Sequence, residues 1–505
     1  MLVNKDKASK VSPHFVRGCQ YKIWLLLGSC LCLVAGCTVG PDFVRPDAPK
    51  VSRYTRTAVP TQTISADGQV QYFGKGAKLV ANWWKLFNSS QLDVVVKEGL
   101  NNNPGVQAAQ ASLRQSRKNL QAGYGIFYPQ AAMDFNATRQ EFSPARFGSN
   151  SSSSIFNLVT LSASVSYALD IFGGERRAIE GLQAQVDLQR ATVQATYLTL
   201  SGNIVNTVIA RAAYRAEINI TEQIIAMQQE QISIVQKQVQ AGTTPYASVL
   251  ALKGELTALE ATLPPLRQKL AQSEHLLATL SGRFSAQWPS PEVDMADLML
   301  PQNLPVSLPS ELVRQRPDIL AAEAALHGAS ANIGVATAAL FPSFTLNGSF
   351  GQNNSSVNNL FQSNGSFWSL GPDVSMPVFN GGTLLSKREA AKAAYQQALA
   401  NYRQTVLSAF AQVADALRGL EHDAESLQAE AQALDTAKES LSLMQTNYQA
   451  GLVNYPQLLI ANVQYQQAEI NFLQAQAQRL QDTTAIFVAL GGGWWNPVRR
   501  SENGN

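Results

Sequence analysis

The sequence predicts a mainly α-helical chain that contributes four strands to a membrane β-barrel shared by three copies of the chain. Three observations predict this fold: an internal tandem duplication, four amphipathic strand segments, and two very long proline-free stretches that follow the strands. Only 15% of the 505 residues are charged, whereas 45% are apolar. This charge fraction is below that of ordinary soluble domains, as expected for strands that face lipid and helices that face one another.

Residues 1–36 predict a lipoprotein signal peptide. Five basic residues and one acid precede an apolar run, Ile23–Ala35, that is too short to span a bilayer. The residues Val34-Ala35-Gly36-Cys37 resemble a bacterial lipobox, which predicts that Cys37 carries an S-diacylglycerol and an N-acyl chain after cleavage. Cleavage before Cys30 would leave only a short apolar segment. A plain signal peptide with an incidental cysteine is the other alternative.

Cleavage changes the charge of the protein. The full chain has 39 basic and 36 acidic residues, a net charge of +3, and loses five basic residues and one acid with the leader. The remaining chain has 34 basic and 35 acidic residues, a net charge of −1. The basic character therefore belongs to the leader, and no nucleic-acid partner follows from it.

Three of the four cysteines also leave with the leader, so no disulfide is expected. Thr38 after Cys37 favours delivery to the outer membrane.

An internal duplication sets the plan of the chain. Matches recur in order at offsets between 208 and 213 residues, which indicates a tandem repeat with small loop insertions. The clearest matches are Asn103-Pro104 with Arg316-Pro317, Tyr128-Pro129 with Phe341-Pro342, Gly173-Gly174 with Gly381-Gly382, and Gln240-Ala241-Gly242 with Gln449-Ala450-Gly451. We therefore expect a lipid-anchored linker at 37–80, a first repeat at 81–290, a second repeat at 291–495 and a disordered tail at 496–505.

Each repeat is predicted to contain a helix, two strands and a long helical hairpin. Apolar and polar residues alternate in the strand segments, which is the period of a strand, and each pair of strands flanks a polar loop. The predicted helices lie near 90–125 and 308–339; the strands at Met133–Thr138, Ile155–Leu169, Phe344–Phe350 and Trp368–Met376; the loops at Ser143–Ser154 and Gly351–Ser366. Proline-free stretches of 67 and 68 residues, Glu175–Ala241 and Thr383–Ala450, precede returning helices near 246–282 and 456–490.

The strands could bury their apolar face in a soluble sandwich or turn it to lipid. Long polar loops and very long helices favour lipid, with the polar face lining a lumen. Four strands cannot close a barrel, and an open sheet edge is not tolerated in lipid. Two chains would give eight strands with a filled interior, whereas three give twelve and a water-filled opening. The Ala- and Gln-rich helices would then form a tube; a solid coiled-coil stalk is the alternative.

Several short motifs along the chain are distinctive. They include Cys37-Thr-Val-Gly-Pro-Asp-Phe43, Trp83-Trp-Lys-Leu-Phe87, Leu308-Pro-Ser-Glu-Leu312, Arg316-Pro-Asp-Ile319, Ile333-Gly-Val-Ala336, Phe341-Pro-Ser343 and Leu490-Gly-Gly-Gly-Trp494. These motifs resemble those of the outer-membrane factor lipoproteins in the outer membrane efflux protein family. The resemblance implies a homotrimer with a twelve-stranded barrel in the outer membrane and a periplasmic helical barrel. It also implies a periplasmic adaptor and an inner-membrane pump, commonly of the resistance–nodulation–division type, as partners.

By the same resemblance, two hairpin turns would form the closed periplasmic tip that meets the adaptor. Similar proteins often carry acids there, but no acid lies between Glu230 and Glu255 or between Glu439 and Glu469. Val453 and Ile460 occupy the positions where we would expect these acidic residues. We therefore expect a gate of apolar and tyrosine contacts with weak cation selectivity. The tip residues are Gly242, Thr243, Thr244, Pro245, Tyr246, Gly451, Leu452, Val453, Asn454, Tyr455 and Pro456.

The sequence contains no motif that predicts catalysis, a metal site or a cofactor. The three histidines of the two repeats, His275, His327 and His422, are expected at solvated helix positions. Arg316 and Asp318 are expected to form an ion pair at a helix start. Two function classes remain. One is a passive outer-membrane duct for drugs or other small toxic compounds, and the other is a trimeric structural or adhesive surface lipoprotein.

Overall fold

The computed structural model describes residues 38–143, 148 and 152–495. The predicted leader, the lipidation site Cys37 and the predicted tail at 496–505 lie outside these residues, as does most of the predicted loop 143–154. The described residues divide into two compact units. Residues 38–44, 118–185 and 326–398 form the first, which we call the strand unit. Residues 45–117, 186–325 and 399–495 form the second, the helical unit.

Nine α-helices and six strands follow one another along the described chain, together with short 3₁₀ turns. In order they are β1 (Tyr72–Lys75), α1 (Ser90–Asn102), α2 (Pro104–Gly123), β2 (Gln130–Phe142), β3 (Ser154–Leu169), α3 (Gly174–Gln240), α4 (Tyr246–Glu260), α5 (Leu263–Leu280), β4 (Asn303–Val306), α6 (Pro309–Gln315), α7 (Pro317–Ala338), β5 (Ser343–Asn354), β6 (Ser366–Ser375), α8 (Thr383–Gln449) and α9 (Tyr455–Ala489).

The strand unit contains a four-stranded sheet in the order β2-β3-β5-β6, with every neighbouring pair antiparallel. All four predicted strands are confirmed, but two are longer than predicted. Strand β2 extends beyond Met133–Thr138 at both ends, and β5 continues to Asn354, so the predicted loop start at Gly351 is wrong. The polar residues at these ends pair in the sheet, for example Asn353 opposite Thr160. Alternation weakens there because both faces carry polar residues.

The long helices are confirmed, since α3 and α8 each run for 67 residues. The predicted helices near 90–125 and 308–339 are each interrupted, at Asn103 and Arg316, whose backbones are extended. Each of these residues precedes a proline, which disfavours the helical conformation before it and lacks a donor of its own. The predicted helix near 246–282 is likewise split into α4 and α5, whereas α9 is continuous.

The helical unit contains two small apolar clusters and one large apolar core. The 3₁₀ turn Trp83–Phe87 lies in it, with the Trp83 ring stacked on Phe487 at 5.3 Å between centroids. A short parallel pair, β1 and β4, also packs there, with Phe73 opposite Leu304. The sequence did not predict these strands, because four residues are too few to establish a period. They show that part of the predicted linker 37–80 is folded into the core.

Among the described residues, one helix, α7, is long and apolar enough to cross a membrane, with a mean hydropathy of 1.2. Within the strand unit, however, its small residues face α3. An added Cβ at Gly328 would lie 3.6 Å from the Cβ of Ala184, and one at Gly334 would lie 2.6 Å from Cγ of Arg177. The Arg316–Asp318 ion pair that we expected lies at the start of this helix, with 2.8 Å between Nε and Oδ1. The two glycine contacts place the Gly328–Gly334 part of α7 against α3.

Candidate functional site

The four-stranded sheet of the strand unit has one apolar and one polar face, as the alternation predicts. Residues that pair across strands share a face, so the apolar set continues from strand to strand. On this face Met133, Trp368 and Leu370 expose 70% or more of their surface. The apolar face consists mainly of Met133, Phe135, Leu161, Val165, Leu346, Phe350, Trp368, Leu370 and Val374. Exposed apolar surface of this extent calls for lipid or protein to cover it.

Hydroxyl, amide and carboxylate groups line most of the opposite face, which also carries four apolar side chains toward one end: Phe142, Phe156, Leu158 and Phe367. The Ser349 and Ser369 hydroxyls, on neighbouring strands, are 2.8 Å apart. Asp134 and Asp373 supply acidic groups, and no Lys or Arg points to this face from the described strands. A wall of this kind suits water and polar solutes. The first and last strands, β2 and β6, each pair on one side only in the described chain, so the sheet has two free edges.

The residues that follow Cys37 are fastened to the strand unit; we call residues 38–43 the N-terminal strap. The amide of Val39 donates to the carbonyl of Phe172, just after β3 (3.0 Å). Gly40 has a φ of +94°, and an added Cβ would come within 2.4 Å of the Cα of Gly334. Such an approach requires glycine. Thr38 also contacts Gly173, so the described part of the strap begins beside the end of β3.

A chain of charged groups holds the strap. Arg177, whose side chain is 6% exposed, donates to Asp42 (2.6 Å) and to Glu180 (2.7 Å). The second oxygen of Glu180 is 2.8 Å from Nε2 of His327, and the His327 ring stacks on Phe43 at 4.3 Å between centroids. His327 is therefore packed between an acid and an aromatic ring. The His327 side chain keeps 28% of its surface exposed, so this helix position is partly solvated and partly covered by the strap.

The two predicted tip turns have the same construction, as the duplication requires. In the first, Gly242 has a φ of +75° and its amide donates to the carbonyl of Val239; Gly451 repeats this with a φ of +76° and a bond to Tyr448. Left-handed glycines of this kind end helices. Residues 242–245 and 451–454 form the turns, whereas Tyr246 and Tyr455 are the first residues of α4 and α9, with Pro456 following.

The second turn is more strongly built than the first. Asn454 and Gln457 form a capping box at the start of α9, with both side-chain-to-amide distances 3.1 Å. The Tyr448 and Tyr455 rings are 5.3 Å apart, so the expected tyrosine contact is present. Tyr455 also hydrogen-bonds to the carboxylate of Glu230 on α3. Glu230 is distant from the second turn in sequence but reaches it in space.

The contact with Glu230 is reflected in the pKa of Tyr455. Partial burial, the hydrogen bond and charge of Glu230 and the nearby Tyr448 together raise the pKa of Tyr455 to about 12. Tyr455 is therefore a neutral donor and Glu230 its acceptor. Farther along the same helix pair, the amide of Gln474 on α9 donates to Glu217 on α3 at 3.0 Å. Polar contacts between α9 and α3 thus recur within the helical unit.

A buried polar cluster in the helical unit was not predicted. Arg479 is 1% exposed and donates through Nε to Gln71 (3.0 Å) and through Nη2 to Thr63 (3.2 Å). Nearby, the carboxyls of Asp423 on α8 and Asp482 on α9 are hydrogen-bonded, and burial together with Asp482 raises the pKa of Asp423. These residues come from three distant segments, and none belongs to a recognisable motif, so the sequence carried no signal for the cluster.

Comparison with known proteins bears on both repeats. A family model described as outer membrane efflux protein matches residues 95–283 and 308–492, which confirms the internal duplication. The chain is 32% identical over 339 residues to the pyoverdine export outer membrane protein OpmQ of Pseudomonas putida, covering 66% of this chain and 72% of that protein. It is 27% identical over 394 residues to the cation efflux system protein CusC of Escherichia coli K12, covering 78% and 82%.

The fold agrees with a solved channel structure. The outer-membrane channel OprN superposes with a TM-score of 0.80 at 27% identity, covering 91% of this chain and all of that one. Coverage of this extent includes both repeats, with their strands and long helices. The arrangement of four strands and two long helical hairpins in this chain is therefore that of an outer-membrane channel subunit.

Proposed function

The chain belongs to the outer membrane efflux protein family, and on this basis we propose that it is the outer-membrane exit channel of a tripartite efflux pump. It works as a homotrimer and conducts drugs or other small toxic compounds passively from the periplasm to the exterior. Its partners are a periplasmic adaptor, an inner-membrane pump and the lipid of the outer membrane. Catalysis, a cofactor and nucleic acid have no part in this function.

One observation carries the proposal. The sheet presents an exposed apolar face on one side and a hydroxyl- and carboxylate-lined face on the other, and both of its edges are free. Lipid can cover the apolar face, and water can hydrate the polar face. Free edges in lipid, however, would leave backbone groups without hydrogen bonds. Closure with further copies removes the edges. Three copies supply twelve strands, enough to surround a water-filled lumen.

The alternative, a structural or adhesive surface lipoprotein, does not account for the polar face. A stalk or adhesin has no need for a second strand pair whose inner side is lined with serine, threonine and asparagine. A conduit requires such a lining, since solutes cross it in water. The known relatives agree with the conduit, as OpmQ and CusC carry the words export and efflux in their names. Pyoverdine and cations are named as the substrates of those relatives and are not assigned to this chain.

We assign lipidation to Cys37. Support comes from the N-terminal strap, because Thr38 lies against Gly173 and the amide of Val39 is bonded to Phe172, directly after β3. A lipid on the preceding residue would then enter the same membrane that the apolar face contacts. Two or more acyl chains anchor a protein far more firmly than one. Metabolic labelling with palmitate should mark the wild type and the Cys30→Ala variant; loss of label from Cys30→Ala but not Cys37→Ala would contradict the assignment.

We assign the two turns, 242–246 and 451–456, to the periplasmic tip, where they contact the adaptor and close the channel. The exposed side chains Tyr246 and Leu452 offer apolar surface for the adaptor, at 59% and 75% exposure. The contact of Tyr455 with Glu230 and Tyr448 supports the closing role, since it ties the second turn to α3. Opening of the channel would break these contacts, and the adaptor would supply the necessary binding energy.

The proposal is tested by conductance and by export. Purified protein in a planar bilayer should give discrete conductance steps that become larger or more frequent in Tyr455→Ala. Deletion of the gene should increase susceptibility to at least one toxic compound, and the plasmid-borne wild type should restore resistance. A reconstituted protein that never conducts, with or without the Tyr455 substitution, would refute the channel function.

A further inference from the structure

The polar face of the sheet changes character along its strands. Strand β3 leads into α3 and β6 leads into α8, so the long helices leave one end of the sheet. The connections within the two hairpins lie at the opposite end, which we call the outer end. Four apolar side chains stand on the otherwise polar face toward that end, and we call them the collar: Phe142 on β2, Phe156 and Leu158 on β3, and Phe367 on β6.

The collar does not result from a slip in strand pairing. The pairing of β2 with β3 is unbroken from Gln130 to Phe142, and that of β5 with β6 is unbroken from Ser343 to Gln352. Side chains alternate between the two faces along an unbroken ladder, so Phe142 shares the face of Asp134. The collar residues therefore lie on the same face as the serines and the carboxylates.

The opposite face changes in the other direction. Arg139, Glu141 and Asn157 lie on it at the outer end, and the Ser153 hydroxyl donates a hydrogen bond to Glu141. Charged side chains on the lipid face are costly at the bilayer midplane and cost little near the membrane surface. The outer end of the sheet therefore lies at or beyond the surface of the hydrocarbon. Contact with lipid does not account for apolar side chains on the polar face there.

Phe367 is held in place by a glycine on the next strand. It lies opposite Gly351 on β5, and an added Cβ at Gly351 would come within 2.6 Å of Cζ of Phe367. The ring therefore lies across β5, in space that a side chain at position 351 would fill. A ring fixed in this way loses little conformational freedom when a solute packs against it.

An acidic residue stands in the same row as Phe367. Gly351 lies opposite Ser162 on β3, and Ser162 lies opposite Asp134 on β2. One row across four strands thus has an aromatic ring at one end and a carboxylate at the other, three strand spacings or about 14 Å apart. No Lys or Arg stands on this face in the described strands. The charge on this face therefore attracts cations.

We propose that the collar and Asp134 form a binding surface for amphipathic cations in the outer part of the lumen. The inference rests on the proposed channel and names the class of solute that this surface holds before release. Such solutes combine an apolar or aromatic group with a positive charge. The apolar group packs against the collar, the faces of the phenylalanine rings attract the positive charge, and Asp134 supplies an opposite charge.

The collar is suited to brief contact. Phe142 and Phe156 are 39% and 37% exposed, so each ring is partly packed and offers the rest of its surface to the lumen. One aromatic contact strengthens binding about two- to tenfold, and the collar is a wall without an enclosed pocket. A solute is therefore held weakly enough to leave. Small hydrated ions gain nothing from apolar groups, so the collar distinguishes amphipathic cations from them.

Single-channel recording with a probe cation tests the binding surface. Tetraphenylphosphonium combines aromatic rings with one positive charge, whereas tetramethylammonium has the same charge without rings. The recordings use the Tyr455→Ala variant, so that the tip does not limit the current, and each probe is added to the two sides in turn. Tetraphenylphosphonium should reduce the current at a lower concentration than tetramethylammonium does, and more strongly from the outer side.

Substitutions in the same background separate the collar from general effects on the channel. Phe156→Ser/Phe367→Ser should raise the half-blocking concentration of tetraphenylphosphonium about tenfold and leave that of tetramethylammonium unchanged. Phe156→Tyr/Phe367→Tyr keeps the rings and should keep the block. Asp134→Asn should weaken the block by both cations. The matched control is Ile155→Ser, the neighbour of Phe156 on the opposite face of β3, which should leave both values unchanged.

The outcomes separate this inference from the function on which it rests. Protein that never conducts, with or without the Tyr455 substitution, would refute the channel itself. A conducting channel whose serine variant is blocked as before would overturn the binding surface alone, as would equal block by the two probes. If the serine variant conducts more while its block is unchanged, the collar only narrows the mouth, which also contradicts a binding surface for solutes.

Discussion

The hydroxyl of Tyr455, the first residue of α9, donates a hydrogen bond to the carboxylate of Glu230 on α3. The two residues are far apart in sequence, and the contact ties the turn between α8 and α9 to the neighbouring helical hairpin. The Tyr448 ring lies against Tyr455 on the other side, 5.3 Å between centroids. This arrangement lets a single hydroxyl be removed while the aromatic contact remains.

Tyr455→Phe should therefore favour the open channel. Loss of one hydrogen bond at a partly exposed site should shift the closed-to-open equilibrium by about 1 kcal/mol per chain, about fivefold in population. Open probability in planar bilayers is the measurement. The matched control is Tyr246→Phe, at the repeat-equivalent position of the first turn, which should leave open probability unchanged. Equal effects of the two substitutions would show that the bond to Glu230 does not hold the channel closed.

The buried carboxyl pair predicts that stability falls as pH rises. Burial and the neighbouring Asp482 raise the pKa of Asp423 above its ordinary value near 4. The folded protein therefore holds a proton that the unfolded chain releases. The stabilising contribution is complete below pH 4 and is lost progressively as pH rises toward and through the raised pKa. The charge of Arg479 opposes the rise in the pKa of Asp423. Asp67 acts on Arg479 and raises the pKa of that guanidinium.

Asp423→Asn removes that titration and keeps a donor for Asp482. We expect the variant to gain thermal stability relative to the wild type at pH 8 and to lose this advantage at pH 5, where the wild-type carboxyl is protonated. Thermal unfolding of the purified protein at the two pH values measures the difference. Asp435→Asn, at an exposed site on the same helix, serves as the control. A difference in thermal stability between variant and wild type that is the same at both pH values would contradict the prediction.

Arg177 should anchor the N-terminal strap. Arg177→Ala removes the two charged hydrogen bonds that the nearly buried Arg177 side chain donates to Asp42 and Glu180. Both carboxylates then lose their partner, which should destabilise the fold by about 2 kcal/mol. The strap should become accessible to limited proteolysis before the rest of the chain. Arg190→Ala removes a solvent-exposed pair with Asp187 and should cost under about 1 kcal/mol. Unchanged proteolysis of residues 38–43 in Arg177→Ala would argue against the anchoring role.

The polar face of the sheet should make the channel weakly cation-selective. Asp134 and Asp373 are its acidic residues in the described strands, and no basic residue shares that face. Asp373→Asn should shift the reversal potential in a salt gradient toward zero, since three carboxylates leave the trimeric lumen. Glu141→Gln, on the other face of β2, is the matched control. A reversal potential that moves only in the control would place Asp373 outside the ion path.

Much of the fold was predictable because its signals are local and periodic. The duplication, the four strands and the two 67-residue helices depend on alternation, helix formers and the absence of proline, all visible along the chain. The wrong expectations concern strand ends and helix breaks. Polar residues at the end of β5 resembled a loop, and the extended conformation of Asn103 and Arg316 divides helices that composition alone predicts to be continuous.

Site residues were predictable where a turn or motif places them, and not where distant segments meet. Gly242 and Gly451 end long helices and identify the two turns, because a left-handed glycine is a common way to end a helix. The acid at the second turn was missed because Glu230 is more than two hundred residues away from Tyr455. Asp423, Arg479 and Gln71 likewise come together only through packing.

The sequence by itself determined the class of this protein: a duplicated chain with amphipathic membrane strands and long helices, whose motifs resemble one family and whose N-terminus predicts a lipoprotein leader. These features depend on residue type and spacing, which do not change on folding. Only the tertiary structure decided which residues touch: the strap on Arg177, Tyr455 with Glu230, the buried carboxyl pair and the strand registers. Contacts between distant segments depend on backbone geometry summed over many residues, and no local pattern encodes that sum.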